Sequence, residues 1–253
     1  MTINKILFHM MHDMLDGEHH LLKTADGLFV ANSHSPIWVS LSNNCPESQV
    51  GAFFRAFLAQ NPYPITGIVA ERGVAISCAN IVSDQGKRTF DTRELVAYFL
   101  PHGTVTKHKT NRACKLRLAG PDDFPTVKKW LTYFYEETLK TPSPELSAAK
   151  PVEPQNGKLS LYILADPHPV AMGMISNSGE VSRLNLIYTP VEERRKGYGG
   201  AIVSLLADTA HKQGRTALLY TSGDNAAANG LYRSLGFIEA GRLTEIRFSP
   251  VFS

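Results

Sequence analysis

The run Arg194-Arg195-Lys196-Gly197-Tyr198-Gly199-Gly200-Ala201 constrains what this chain can fold into more than any other stretch. It lies between an apolar, strand-like segment and a segment with helical spacing. A glycine-rich turn that opens a helix directs several unpaired backbone N–H groups at one point. The helix dipole adds partial positive charge there, and Arg194, Arg195 and Lys196 add more. Such a turn binds an anion, most often a phosphate or pyrophosphate. The fold therefore has to supply a strand–turn–helix unit.

Two familiar phosphate motifs fail here. The P-loop needs Gly, four residues, then Gly-Lys-Ser/Thr, which the chain lacks. The dinucleotide fingerprint needs a third glycine where Ile202 stands. What remains is Arg-x-x-Gly-x-Gly at Arg194, Gly197 and Gly199, whose glycines let a ligand approach the backbone without a Cβ in the way.

A second motif follows the next strand: Asn225-Ala226-Ala227-Ala228-Asn229-Gly230-Leu231-Tyr232. Asn225, Ala228, Asn229 and Tyr232 share one helical face, small and polar, while Ala227, Leu231 and Leu235 are expected to turn toward a core. Asn225 is also a natural N-cap. Gly230 in mid-helix costs about 1 kcal/mol relative to alanine, which suggests close packing at that point.

The surrounding elements are legible from residue 114 onward. Lys115–Leu118 reads as a strand, and Pro121-Asp122-Asp123 opens a helix carrying Val127, Trp130, Leu131, Phe134 and Tyr135 on one side. Pro142–Gly157, rich in proline, reads as a loop. Leu159–Leu164 and Val170–Ile175 form a hairpin through Asp166-Pro167-His168-Pro169. Val181–Thr189 is a strand with Arg183, Asn185, Ile187 and Thr189 on one face. Ala201–Gln213 is a helix stopped by Gly214. Thr216–Thr221 is a strand, Asn225–Leu235 a helix, and Phe237–Ala240 and Leu243–Phe248 are strands around Gly241.

Residues 1–110 say less. Leu28–Ala31 and Ile37–Leu41 read as strands and Glu47–Gln60 as a helix, with Val50, Phe53, Phe54, Phe57 and Leu58 at spacings of three and four. Ile68–Ile81 reads equally as helix or strand, and Thr92–Leu100 as a helix. No sequence repeat is visible. His9, His12, His19 and His20 lack acidic or cysteine partners at ligand spacing, so no metal site is expected.

Bulk properties narrow the function classes. With 43% hydrophobic and 19% charged residues in 253, the chain can bury a sizeable core. A net charge of +3 is too mild to argue for nucleic acid. No apolar run is long enough to span a membrane. Cys45, Cys78 and Cys114 have neither disulfide nor metal spacing, which suits a reducing cytoplasm.

The chain resembles the GNAT acyltransferase superfamily from about Cys114 to Phe248. The resemblance rests on Arg194-Arg195-Lys196-Gly197-Tyr198-Gly199 and on Asn225–Phe237, with Thr189-Pro190 ending the strand between. It implies an α/β (α+β) fold: a mixed, mostly antiparallel central sheet flanked by helices, splayed open in the middle. Two domains are expected, 113–253 with the GNAT-like fold and a smaller α/β domain at 1–110. The latter looks like the variable half of two-part members, with a degenerate copy of the same fold as one alternative.

The resemblance also implies acetyl-CoA as donor and a small-molecule or peptide amine as acceptor, in a monomer or homodimer, without metal. Backbone N–H groups from Arg195 through Lys196, Gly197, Tyr198 and Gly199 to Gly200 would hold the pyrophosphate, and the Arg194, Arg195 and Lys196 side chains would add charge. The pantetheine arm would lie along Leu186, Ile187, Tyr188 and Thr189. Asn225 would bond the pantetheine or its neighbouring backbone, Asn229 would be a further cofactor-binding residue, and Tyr232 would give a proton to the departing thiolate. No carboxylate lies on Val181–Thr189, where family members often carry a base; Glu136, Glu137, Glu180 or an ordered water are the alternatives. A non-catalytic acyl-CoA sensor is the competing reading.

Overall fold

A computed structural model describes residues 19–24, 27–32, 35–42, 45–104, 114–139 and 159–249. The expected Pro142–Gly157 loop, most of the expected linker at 103–113, and His9 and His12 lie outside the described residues. The chain divides into two units. One holds Met1–Tyr98, Tyr220–Asn229 and Glu239–Ser253, and the other holds Phe99–Leu219 and Gly230–Ile238.

The first unit opens with an antiparallel meander of β1 (His20–Lys23), β2 (Gly27–Asn32) and β3 (Ser35–Leu41). Helix α1 (Glu47–Gln60) then leads to β4 (Gly67–Ala70), which pairs parallel with β3. Helix α2 (Arg72–Gly86) leads to β5 (Phe90–Leu100). The apolar stripe read from the sequence is the buried side of α1: Val50, Phe54 and Phe57 join Phe29, Ile37, Val39, Ile68 and Cys78 in one core. The ambiguous Ile68–Ile81 stretch resolves into both alternatives, the end of β4 followed by most of α2.

Thr92–Leu100, expected to be helical, is strand β5. Leu95, Val96, Ala97 and Tyr98 are all buried, so both faces of the strand are covered. A doubly covered strand shows a continuous apolar run, which periodicity cannot tell from a buried helix. The last strand, β11 (Ile238–Phe248), runs unbroken through Gly241 and pairs antiparallel with β4, bringing Ile246 and Phe248 into the same core.

In the second unit β6 (Lys115–Leu118), β7 (Leu159–Asp166), β8 (His168–Ser178) and β9 (Val181–Tyr188) are antiparallel neighbours, and β10 (Thr216–Ser222) pairs parallel with β9. A short 3-10 turn at Pro121–Asp123 precedes helix α3 (Phe124–Leu139). Helix α4 (Tyr198–Lys212) joins β9 to β10, and α5 (Ala226–Ser234) follows β10; of β10 and α5, Thr216–Leu219 and the α5 residues from Gly230 onward belong to this unit and Tyr220–Asn229 to the first. Met172 and Met174 of β8 pack with Val127, Trp130 and Leu131 of α3. Gly173, between them, points the other way: a Cβ there would stand 2.7 Å from Leu206 of α4. The two helices therefore cover opposite faces of the sheet, and α4 sits close because Gly173 has no side chain. This is the mixed, mostly antiparallel sheet flanked by helices that the sequence implies.

The element order holds a repeat that the residues do not show. The succession of three antiparallel strands, helix, parallel strand, helix, strand occurs as β1-β2-β3-α1-β4-α2-β5 and again as β7-β8-β9-α4-β10-α5-β11.

Strand β9 is irregular where it matters. Met172 pairs with Tyr188 and Met174 with Asn185, so two steps on β8 meet three on β9. The extra residue is absorbed at Leu186, whose φ is +50. Arg183 and Asn185 share the α3 side with Met174 and Ser176, Ile187 turns to Gly173 and α4, and Tyr188 returns to the α3 side. The single face expected for Arg183, Asn185, Ile187 and Thr189 is thus broken by a bulge, which reverses the alternation. Among the described residues the β9–β10 pairing runs only from Val181 and Thr216 to Arg183 and Leu218. The stretch Leu184–Tyr188 continues past it.

Candidate active site

The exit of β9 builds the turn. After Thr189-Pro190 and a short 3-10 turn at Val191–Glu193, Arg194 is extended, Arg195 has φ +62 and Gly197 has φ +89. A left-handed residue is natural for glycine and costs an arginine about 1 kcal/mol. Helix α4 begins at Tyr198, and its N-cap, Gly197, offers no side-chain hydrogen bond. The first-turn N–H groups thus have no cap from that residue, as an anion site requires.

Side chains around the turn leave its backbone accessible. Tyr198 is buried, and its hydroxyl donates to Asp166 Oδ2 at 2.7 Å. A Cβ at Gly199 would lie 3.7 Å from Thr189 Oγ1 and 3.8 Å from Leu231, ordinary contact. At Gly200 it would approach Leu231 of α5 to 3.3 Å, so α5 abuts the first turn of α4 there. Tyr232, next along α5, is 7% exposed and packs its ring 6.0 Å from Phe237. The second unit therefore brings together Ile187, Tyr188, Thr189, the Arg194–Gly200 turn and Leu231, with Tyr232 next along the same helix.

The cations are not equivalent. The Arg194 Nη2 donates to both carboxylate oxygens of Glu137 of α3, at 2.6 and 2.9 Å, and its Nε donates to the Thr189 carbonyl at 3.0 Å. Its guanidinium also lies 5.7 Å from the centre of the Tyr188 ring. Lys196 pairs with Glu193 at 2.9 Å. Among the described residues no ion pair engages Arg195, which is exposed. Burial, reinforced by Glu137 and opposed by Arg194, raises the Tyr188 phenol above its ordinary value near 10, so it stays neutral near pH 7.

Asn225 and Asn229 belong to the first unit. The Asn225 Oδ1 accepts the Ala228 N–H at 3.0 Å, the N-cap geometry expected from sequence. Asn229 is 4% exposed and its amide is engaged within the protein. Its Nδ2 donates to the carbonyls of Ser222 and Asn225, each at 2.8 Å, and its Oδ1 accepts from the fully buried Tyr98 hydroxyl at 2.8 Å. Two expectations for α5 change. Ala227 is exposed rather than core-facing, because the Asn229-Tyr232-Leu235 side is the buried one. Among the described residues no atom lies within 4 Å of where a Gly230 Cβ would stand, so the close packing expected there is not found among them.

The candidate bases also separate. Glu137 is held by Arg194, Glu136 is exposed, and Glu180 precedes Val181 at the opposite end of β9 from the turn. Asp166, Tyr98 and the Leu186 bulge escape sequence reading. Only the Asp-Pro of the β7–β8 turn hints at any of them. The equivalent exit in the first succession, from β3 into α1, has no glycine: Ser42 to Pro46 leads directly to Glu47. Among the described residues no group of His, Cys, Asp and Glu is placed to hold a metal ion, and no helix is long and apolar enough to cross a membrane.

Residues 163–247, from β7 to β11, match the family described as FR47-like protein. The fold is similar to that of a GCN5-related N-acetyltransferase from Kribbella flavida, with a TM-score of 0.66 at 13% identity over 99% of this chain and 97% of that one. It is also similar to an acetyltransferase of the GNAT family from Colwellia psychrerythraea, with a TM-score of 0.55 at 15% identity over 93% and 87% of the two chains. The chain has the GNAT fold, and its residues 163–247 are similar to the FR47-like family. A third similar structure is a GCN5-related N-acetyltransferase from Sphaerobacter thermophilus, with a TM-score of 0.58 at 12% identity over 90% and 82%. No curated protein matches the sequence. The Kribbella flavida structure covers the N-terminal residues as well, so the GNAT-fold likeness extends over both successions.

Proposed function

We propose that this protein is an acyl-CoA-dependent N-acyltransferase that moves an acetyl group from acetyl-CoA to an amine of a small molecule or peptide. The observation that carries this reading is the β9 exit. A strand displaced by a bulge at Leu186 runs into a helix whose N-cap is Gly197 at φ +89. Acetyl-CoA supplies an activated thioester carbonyl when bound.

The N–H groups of Arg195 to Gly200 hold its pyrophosphate, and Arg195 and Lys196 add charge. The Leu186–Thr189 edge pairs with the pantetheine through its backbone, and one of its N–H groups donates to the carbonyl oxygen. Tyr232 holds the proton that the thiolate takes up. A primary alkyl amine is neutral in only about one molecule in two to three thousand at pH 7, a penalty of roughly 4–5 kcal/mol. With Glu137 in an ion pair, that deprotonation falls to an ordered water or another group. The chemistry resides in residues 113–253, with 1–110 as a second, variable half. Cys45, Cys78 and Cys114 form no disulfide with one another, which supports a cytoplasmic setting.

The strand β9 sequence Val181–Tyr188 contains no carboxylate, which favours one other reading: a non-catalytic acyl-CoA sensor. A thermal-shift titration with acetyl-CoA, followed by an amine panel read by free-thiol release, tests both. Binding with amine-dependent thiol release supports the transferase. Binding without release under any amine supports the sensor.

A further inference from the structure

We infer that Arg194, the first residue of the glycine-turn motif, is a positioning residue locked to Glu137 rather than a phosphate ligand. This rests on the acyl-CoA reading of the turn. The Arg194 Nη2 donates to both Glu137 oxygens, at 2.6 and 2.9 Å, and its Nε donates to the Thr189 carbonyl at 3.0 Å. Its Cζ lies over the Tyr188 ring, 5.7 Å from the ring centre. Thr189 in turn stands beside the first turn of α4, with its Oγ1 3.7 Å from where a Gly199 Cβ would be. One side chain thereby ties together the last turn of α3, the end of β9 and the start of α4.

A planar guanidinium can hold the Glu137 carboxylate with one nitrogen and the Thr189 carbonyl with another in a fixed geometry, whereas a lysine ammonium has a single nitrogen on a flexible stem. With Glu137 neutralising its charge, Arg194 contributes little field at the pyrophosphate. The exposed Arg195, aimed by its left-handed backbone, carries that charge instead. The pair is itself exposed, 40% and 47% for the two side chains, so it adds little to global stability. Its effect is to fix the spacing between the β9 edge and the helix N–H groups.

The test is calorimetric binding of CoA across Glu137→Gln, Arg194→Gln, Arg194→Lys and the Glu137→Gln/Arg194→Gln double variant, each at several salt concentrations. All four are expected to bind about fivefold more weakly than wild type, the double variant no worse than either single one. Melting temperatures should stay within about 2 °C of wild type. The slope of log Kd against log salt should match wild type, whereas Arg195→Gln should flatten it. Arg194 would instead be a direct phosphate ligand if Arg194→Lys binds like wild type, or if Arg194→Gln flattens the slope while Glu137→Gln binds normally. A wild-type protein that does not bind CoA would remove the acyl-CoA reading and this role with it. Normal wild-type binding with an additive cycle would remove this role alone.

Discussion

The Tyr198 hydroxyl donates to Asp166 Oδ2 at 2.7 Å, tying the first residue of α4 to the turn between β7 and β8. Tyr198 is buried, so its ring fills the interior while its backbone remains part of the turn. The contact fixes where the helix starts, and hence where its unpaired N–H groups point. Tyr198→Phe should cost about 1 kcal/mol of stability, read by urea unfolding, and weaken acetyl-CoA binding severalfold. Unchanged affinity would show that the hydroxyl does not help to place the turn.

Gly199 separates folding from binding. A Cβ there meets only ordinary contacts, at 3.7 and 3.8 Å. Gly199→Ala should therefore fold with a melting temperature within about 2 °C of wild type. Gly199→Asp should also fold, yet lose acetyl-CoA binding, because it sets negative charge and bulk at the helix N-terminus. Near-normal binding by the aspartate variant would place the anion elsewhere.

Tyr232 is packed against Phe237 on the helix that abuts the turn. Phenylalanine preserves that packing and removes the proton. Tyr232→Phe should lower kcat at least about tenfold while leaving the Kd for acetyl-CoA nearly unchanged. Equal kcat would exclude Tyr232 as the proton source.

Asp123 gives the acid limb of stability. The Arg117 guanidinium, bidentate at 2.6 and 2.8 Å, holds the Asp123 carboxyl below its ordinary value near 3.8; burial opposes this and the Gly120 N–H assists. A lowered carboxylate pKa stabilises the fold above the ordinary value, and that stabilisation is lost as pH falls through the folded pKa. Asp123→Asn should cost about 1 kcal/mol at pH 7, and the gap to wild type should narrow as pH falls below about 3.8. A gap that persists at pH 2.5 would mean that the charge is not its source.

Legibility in the sequence followed the strength of local signals. The α1 stripe at Val50, Phe54 and Phe57 and the glycines of the turn could be read because helical spacing and glycine conformational freedom leave direct traces. Strand β5 could not, since a strand covered on both faces loses its alternation. The bulge at Leu186 was invisible because nothing in a leucine announces a positive φ. The spacing of Asn229 to Asn225 and Tyr232 predicts a side chain that faces a ligand. Its amide instead reaches Ser222, Asn225 and Tyr98, the last 131 positions away, a pairing that no local pattern can encode. The repeated element order likewise stands in the topology and not in the residues.

The most direct measurement is isothermal titration of the full chain with acetyl-CoA. The expected result is one site per chain, since only the β9–α4 exit carries the glycine turn and the β3–α1 exit does not. No binding, or a site that survives Gly199→Asp, would contradict the assignment of that turn as the acyl-CoA site.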